Sequence, residues 1–205
     1  MIVALPPNLQ MDALREMVNT GLGRAAASLN MMLDVPVDLD VPSIAMFKPE
    51  DFPFCRTVFG NELLSCVQVG FRGPFCGNAF LAFPPQNASR LVATLTGNAS
   101  TSSIQNGIMA DTLNEVGNIL INSMIGTIGN ILAEPFEFSL PRYLEGKFDD
   151  LLLMKIPPVE QTLLLALTRF QTRQLEISGN IFIFFELGAF EKLLSLIAAL
   201  PGNRG

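Results

Sequence analysis

The chain contains two copies of one sequence pattern, and this repetition restricts its possible folds more than any other feature. The segment Asp12-Ala-Leu-Arg-Glu-Met-Val-Asn19 recurs half a chain later as Asp111-Thr-Leu-Asn-Glu-Val-Gly-Asn118. Further along, Gly77-Asn78-Ala-Phe80 recurs in the same way as Gly179-Asn180-Ile-Phe182. Such a long period indicates two copies of one structural unit. We predict repeats over about 8–102 and 107–201, joined by a polar linker over 97–103.

Each repeat opens with a predicted long helix, near 9–33 in the first and near 108–133 in the second. The prediction rests on apolar positions that recur with the helical period of about 3.6 residues. The expected buried stripes are Leu14, Val18, Leu22, Ala25, Leu29 and Met32 in the first helix, and Leu113, Leu120, Met124, Ile128 and Ile131 in the second. A shorter helix is predicted to close each repeat, near 86–96 and 188–199.

Two apolar strands are predicted between the helices of each repeat, near 62–71 and 77–84 and near 161–170 and 179–186. Gly73-Pro74 and Ser178-Gly179 are the expected breaks between them. The fold class we expect is α/β (α+β), a tandem duplication of a helix–strand–two-strand–helix unit with pseudo-two-fold symmetry around a mainly antiparallel sheet. Since either half alone would expose an apolar sheet, we predict a single domain over 1–205.

The composition excludes several classes of function. The chain has no histidine, which removes triads and metal sites that need an imidazole. Cys55, Cys66 and Cys76 lack metal-site spacing, so we expect free thiols and no metal. A net charge of −6 argues against binding nucleic acid or an anionic membrane. No segment is predicted to span a membrane or to act as a signal peptide, and we expect a cytoplasmic protein.

The polar residues shared by the two repeats form the candidate sites. Spacings of four and three residues place Asp12, Glu16 and Asn19 within one arc of roughly 60° on a helix, away from the apolar stripe. Asp111, Glu115 and Asn118 repeat this arrangement. In both copies the asparagine is followed at the same distance by a proline, Pro42 or Pro141. A carboxylate and a carboxamide are therefore expected side by side on two exposed surfaces.

The pattern Asp-x₃-Glu-x₂-Asn-x₂₂-Pro resembles that of the CheC/CheX/FliY chemotaxis phosphatases, and it occurs here twice, so the resemblance is to a CheC-like protein with two active-site motifs. The second copy, Glu115-Val-Gly-Asn118, is very similar to the usual motif of that family. The first copy departs from it at Val18, where the family commonly has glycine. The resemblance covers nearly the whole chain.

The resemblance implies a hydrolase that removes the aspartyl phosphate from a CheY-type response regulator in two-component chemotaxis signalling. Glu16 and Glu115 would pair with a lysine of the regulator, and Asn19 and Asn118 would hold the attacking water. Asp12, Asp111, Pro42 and Pro141 would support the sites. The phosphatase would need no cofactor of its own, because the regulator supplies Mg²⁺ at its phosphorylation site.

Two other readings remain open at this stage. The chain could be a non-catalytic CheC-like adaptor or a flagellar-switch binding module related to FliM and FliY. It could also be a duplicated structural domain; the repeated polar trio argues against this, and burial of Glu16, Asn19, Glu115 and Asn118 in the core would favour it. A CheD-like deamidase is a partner of some members of the family, and the residues of this chain do not test that pairing. A monomer is expected, since duplication within a chain can replace the symmetry of a dimer.

Overall fold

The computed structural model describes residues 8–33, 36–47, 51, 57, 61–97, 106–153, 162–172 and 175–200. Within these ranges the helices are α1 (Asn8–Leu33), α2 (Pro85–Thr96), α3 (Asn106–Leu132) and α4 (Ala189–Ala199), with a π-helical turn over Asp149–Leu153. The strands are β1 (Val37–Phe47), β2 (Leu63–Arg72), β3 (Gly77–Phe83), β4 (Glu137–Phe138), β5 (Arg142–Lys147), β6 (Thr162–Thr172) and β7 (Leu175–Phe185). The four predicted helices are confirmed. Cys55 and most of the predicted linker lie outside the described residues.

All the strands in the described ranges belong to one antiparallel sheet with internal symmetry. Its order is β1-β6-β7-β3-β2, and both β4 and β5 pair with the far side of β2. At the centre, Phe80 of β3 lies opposite Phe182 of β7, its own counterpart in the second repeat. A pseudo-two-fold axis therefore passes between these two residues, as the mainly antiparallel, symmetric fold class predicted.

The two repeats exchange their outer strands. β1 of the first repeat pairs with β6 of the second, and β5 of the second repeat pairs with β2 of the first. Neither repeat pairs its first strand with its own second strand in the described sheet. Because each half completes the sheet of the other, the sheet is built jointly by the two halves.

Strand β1 is longer and less regular than the extended segment expected before Pro42. It pairs with β6 through Asp40 opposite Arg169 and again from Ser43 opposite Leu167. Val41 and Pro42 therefore share one partner position, which is the geometry of a β-bulge. Proline suits this place because it has no N–H to contribute to the ladder.

The predicted strand break at Ser178-Gly179 is wrong. Both residues lie inside β7, which already begins at Leu175, and they pair with Arg169 and Thr168 of β6. A Cβ on Gly179 would lie 2.4 Å from the ring of Phe83. The glycine is therefore explained by close packing across the sheet and not by a turn.

The sheet is buried on both faces. The larger core joins the long helices to one face and includes Leu14, Leu22, Val67, Leu81, Leu113, Leu120 and Ile183. The opposite face carries a smaller cluster that includes Cys66, Phe80, Phe148, Phe182 and Phe184. The predicted helix stripes are buried, except that Ile131 near the end of α3 is 38% exposed. The Met32 side chain lies outside the description. None of the helices described has the length and apolar character required to cross a membrane.

Candidate active sites on two helices

Both predicted polar trios lie on the outer faces of the long helices. In α1, Asp12, Glu16 and Asn19 are exposed, whereas Leu14 and Val18 between them are fully buried. We call this trio the first site. Burial of Glu16 and Asn19 in the core would have favoured a purely structural domain, and both are exposed instead.

The second site consists of Asp111, Glu115 and Asn118 on α3. Both carboxylates are exposed and Asn118 is half-buried, while Leu113 and Val116 face the core. In each site the two carboxylates are one helical turn apart, an arrangement of like charges that costs roughly 0.2–0.5 kcal/mol on a helix. Within the described ranges, neither Glu16 nor Glu115 forms a hydrogen bond or an ion pair. The carboxylates of Glu16 and Glu115 are thus accessible to a partner.

The helices that carry the two sites are packed directly against each other. A Cβ on Gly21 of α1 would lie 2.6 Å from the Cα of Met124 in α3. Nearby, Nη1 of Arg24 donates a hydrogen bond of 3.4 Å to the hydroxyl oxygen of the buried Thr127. The small residue permits close approach, and the polar contact crosses from one helix to the other. The two helices therefore form one support for both sites.

The position at which the first site departs from the family pattern lies on the core side of the helix. At the second site, a Cβ on Gly117 would lie 2.6 Å from Cγ1 of Val67 in β2. The glycine allows α3 to rest on the sheet directly beneath Glu115 and Asn118. At the first site Val18 holds the matching position and is fully buried. This difference lies on the core side of the helix, while Glu16 and Asn19 remain on the outer side.

The two sites differ in one hydrogen bond that the sequence analysis missed. Nδ2 of Asn122 donates to Oδ1 of Asn118 at 2.8 Å, one helical turn along α3. The residue matching Asn122 in the first repeat is Gly23, which has no side chain to offer. Asn122 occurs in only one copy, so the residues that the two repeats share do not reveal it. The i, i+4 spacing on the site's own face was the available signal.

The two prolines lie in β1 and at the start of β5, on opposite edges of the sheet. Pro42 lies in the bulge of β1, and Pro141 directly precedes β5. The approach to Pro141 is fixed by Ser139, whose N–H donates to the carbonyl of Gly70 at 2.9 Å and whose hydroxyl accepts from the Gly70 N–H at 2.8 Å. Each proline therefore lies in or next to an edge strand, where its fixed φ restricts the backbone.

A groove of about 510 Å³ lies next to β4, and Leu140 and Arg142, the neighbours of Pro141, line it. Its walls include Arg72 and Arg142 beside Glu137 and Glu186, so the charges are mixed. None of the residues of the two sites lines it. In the part of the chain that the structure describes, no three acidic or cysteine side chains converge as metal ligands.

Comparison with known proteins links this chain to chemotaxis proteins. A family model described as chemotaxis phosphatase CheX matches residues 65–151, which include the whole second site and Pro141. The CheY-P phosphatase CheC of Bacillus subtilis (strain 168) is 25% identical over 200 residues, covering 93% of this chain and 94% of that protein.

Solved structures share the fold over nearly the whole chain. FliY of Thermotoga maritima superposes with a TM-score of 0.75 at 18% identity, covering 96% of this chain and 98% of that one. The FliM middle domain of H. pylori gives 0.64 at 10% identity, with coverages of 93% and 99%. Together with the CheX and CheC matches, this confirms the resemblance seen in the doubled motif. The chain is thus similar to the CheC and CheX chemotaxis phosphatases in sequence and to FliY in fold.

Proposed function

We propose that this protein hydrolyses the aspartyl phosphate of a CheY-type response regulator. The observation that carries the proposal is the solvent-accessible glutamate and asparagine on each long helix, exposed except for the half-buried Asn118, in a chain similar to a CheY-P phosphatase along most of its length. Glu16 and Asn19 would serve one site, and Glu115 and Asn118 the other.

The reaction needs little covalent chemistry from the phosphatase. An aspartyl phosphate is an acyl phosphate, and phosphoryl transfer passes through a loose transition state that responds mainly to positioning and charge. The water oxygen bonds to phosphorus as the bond to the aspartyl oxygen breaks, and the electron pair stays on the regulator's carboxylate. Both protons of the water leave on the released phosphate. No cofactor of the phosphatase is required, since we assign Mg²⁺ to the regulator.

The asparagines would hold the attacking water. A carboxamide both accepts and donates hydrogen bonds, and it keeps this capacity at every physiological pH. Asn19 is exposed and Asn118 is half-buried at the outer surface of its helix, so both can be reached by a regulator docked there. A water that is already held in line with phosphorus has less entropy to lose on reaching the transition state, so the activation free energy is lower than in the uncatalysed reaction.

The glutamates would set the docking register by pairing with a lysine of the regulator. Both are exposed on the same helical arc as the asparagine of their site. A charge-assisted hydrogen bond at this place would orient the regulator's phosphate toward the asparagine. Asp12 and Asp111, one turn earlier, would add negative potential, and Pro42 and Pro141 would fix neighbouring backbone.

A phosphate-release assay tests the proposal. The regulator is phosphorylated with a small phosphodonor, and inorganic phosphate is followed with and without the protein. Asn19→Ala combined with Asn118→Ala should abolish the acceleration, while each single variant should leave the other site working. Asn130→Ala, at an exposed position of α3 outside the site, is the matched control. If the double variant still accelerates release like the wild type, the proposal is wrong.

A second candidate function is a non-catalytic adaptor or flagellar-switch module. It is favoured by the shared fold with the FliM middle domain, at a TM-score of 0.64. In that case the protein would bind a regulator without changing the lifetime of its phosphate. Binding measured by calorimetry, together with an unchanged release rate, would select this reading over the phosphatase.

A further inference from the structure

We propose that Asn122 is a positioning residue that orients the Asn118 carboxamide at the second site. The inference rests on the proposed function, because it assigns Asn122 a task in the same hydrolysis. Asn122 would not touch the phosphate or the water. It would act through Asn118, and the first site would work without such a residue.

The geometry selects one orientation of the Asn118 side chain. Nδ2 of Asn122 donates to Oδ1 of Asn118 at 2.8 Å. Asn122 follows Asn118 by four residues, so both side chains lie on one face of α3. With one lone pair of Oδ1 engaged, the second lone pair and the Nδ2 hydrogens of Asn118 remain for water. The bond removes rotamers in which the carboxamide turns away from the site.

Stability does not explain why residue 122 is an asparagine. Its Oδ1 is buried and has no hydrogen-bond partner among the described residues. A buried unpaired carbonyl oxygen is unfavourable, and asparagine is a weaker helix former than leucine or alanine. The Asn114 Oδ1, one turn before Asn118, is in the same condition. An apolar residue at 122 would avoid this cost, and what distinguishes Asn122 from Asn114 is its hydrogen bond to the Asn118 carboxamide.

The first site shows what the arrangement is like without this contact. Gly23 matches Asn122, and a Cβ placed on it would meet nothing within 4 Å. The space for a side chain exists there, yet none is present. Within the described ranges Asn19 also forms no hydrogen bond through its carboxamide. The two sites therefore share their proposed reacting groups and differ in how firmly one of them is held.

The test uses the full chain with the first site silenced by Asn19→Ala, so that only the second site turns over. In this background kcat and KM are measured for the phosphorylated regulator. Asn122→Leu removes the donor at similar volume, and it should lower kcat by about 3- to 10-fold with KM nearly unchanged. Asn122→Gln, which can still donate to Asn118, should retain most of the turnover.

The outcomes separate this inference from the proposed function. If Asn118→Ala abolishes turnover but Asn122→Leu leaves kcat unchanged, Asn122 is not a positioning residue and the phosphatase assignment stands. If Asn118→Ala has no effect, the proposed function itself fails. If Gln lowers kcat as much as Leu, the hydrogen bond is not what matters, and the inference is overturned. Asn122→Ala provides a second donor-free variant should the leucine variant fold poorly, as judged from its melting temperature.

Discussion

Gly117 of α3 lies directly against the side chain of Val67 in β2. A Cβ on the glycine would be 2.6 Å from Cγ1 and 2.7 Å from Cβ of the valine. Val67 is fully buried in the core on the helix side of the sheet. Because Gly117 stands between Glu115 and Asn118, this contact sets the height of the second site above the sheet.

Gly117→Ala should destabilise the protein by about 1–3 kcal/mol, the usual range for overpacking a core. Val67→Ala removes the Cγ1 and Cγ2 methyl groups but keeps the Cβ, which a Cβ at position 117 would still meet at 2.7 Å. The double variant should therefore recover part of the loss, and its total loss should be smaller than the two single losses added together. The measurement is the free energy of unfolding in urea for a complete double-mutant cycle. Gly126→Ala is the matched control, because a Cβ there meets nothing within 4 Å. Simple additivity in the cycle would contradict the contact.

Two glycines of α1 should respond in opposite directions to the same substitution. A Cβ on Gly21 would lie 2.6 Å from the Met124 Cα, whereas one on Gly23 would meet nothing within 4 Å. Gly21→Ala should therefore separate the two long helices and lower stability by about 1–3 kcal/mol. Gly23→Ala should raise it by about 0.5–1 kcal/mol, through helix propensity alone. Thermal unfolding of the pair checks the prediction, and equal shifts would refute it.

Much of the fold could be predicted because its signals are local. The buried stripe of α1 follows from the spacing of Leu14, Val18 and Leu22, and all three are buried as expected. The exposure of Glu16 and Glu115 follows from the same helical geometry. The symmetry could be predicted from the sequence repeat, because two copies of one unit can pack around a two-fold axis. In the structure this axis passes between Phe80 and Phe182.

The remaining features depend on contacts between distant parts of the chain. β1 pairs with β6 and β5 pairs with β2, each in the other repeat. The hydrophobic pattern of a strand indicates which of its faces is buried, but not which strand lies beside it. From the sequence, Gly179 is expected in a turn, but in the structure it lies in a strand where only glycine leaves room for the ring of Phe83. Asn122 was missed for a different reason, because comparison of repeats reveals what they share and hides what one copy has gained.

Ala133 ends α3 in a conformation that glycine would adopt more easily. Its φ is +56°, in the left-handed region. The N–H of Glu134 donates to the carbonyl of Gly129 at 2.8 Å, and the Ala133 N–H donates to that of Asn130 at 3.3 Å, which is the Schellman pattern. Ala133→Gly should raise stability by about 1 kcal/mol, since it relieves the left-handed strain.

The control for this helix end is Ala27→Gly at an exposed interior position of α1. The backbone at this position is helical and unstrained, so glycine should lower the free energy of unfolding by about 1 kcal/mol through its poorer helix propensity. Chemical unfolding of both variants gives the comparison. A loss of stability from Ala133→Gly would show that the left-handed turn is not strained.

The docking role proposed for Glu115 predicts a dependence on salt. In a protein with the first site silenced by Asn19→Ala, Glu115→Gln should raise KM for the phosphorylated regulator about tenfold at low ionic strength. The difference should shrink as salt is added, because screening weakens the lysine pair in the unsubstituted site. Glu191→Gln, at an exposed position of α4, is the control for net charge. A KM effect independent of salt would contradict the ion pair.

Cys66 should make the fold sensitive to alkaline pH. Burial raises the pKa of its thiol from 9.0 to about 12, so the unfolded chain loses this proton at a lower pH than the folded one. Between those values the folded state binds more protons, and stability should fall as pH rises, by roughly 1.4 kcal/mol per pH unit from this group. Below pH 9 the contribution is constant. Tyr143 adds to the slope, because burial and its hydrogen bond to Glu145 also raise its pKa. Urea unfolding of Cys66→Ala from pH 8 to 11 should show a shallower decline than the wild type, and parallel curves would refute the assignment.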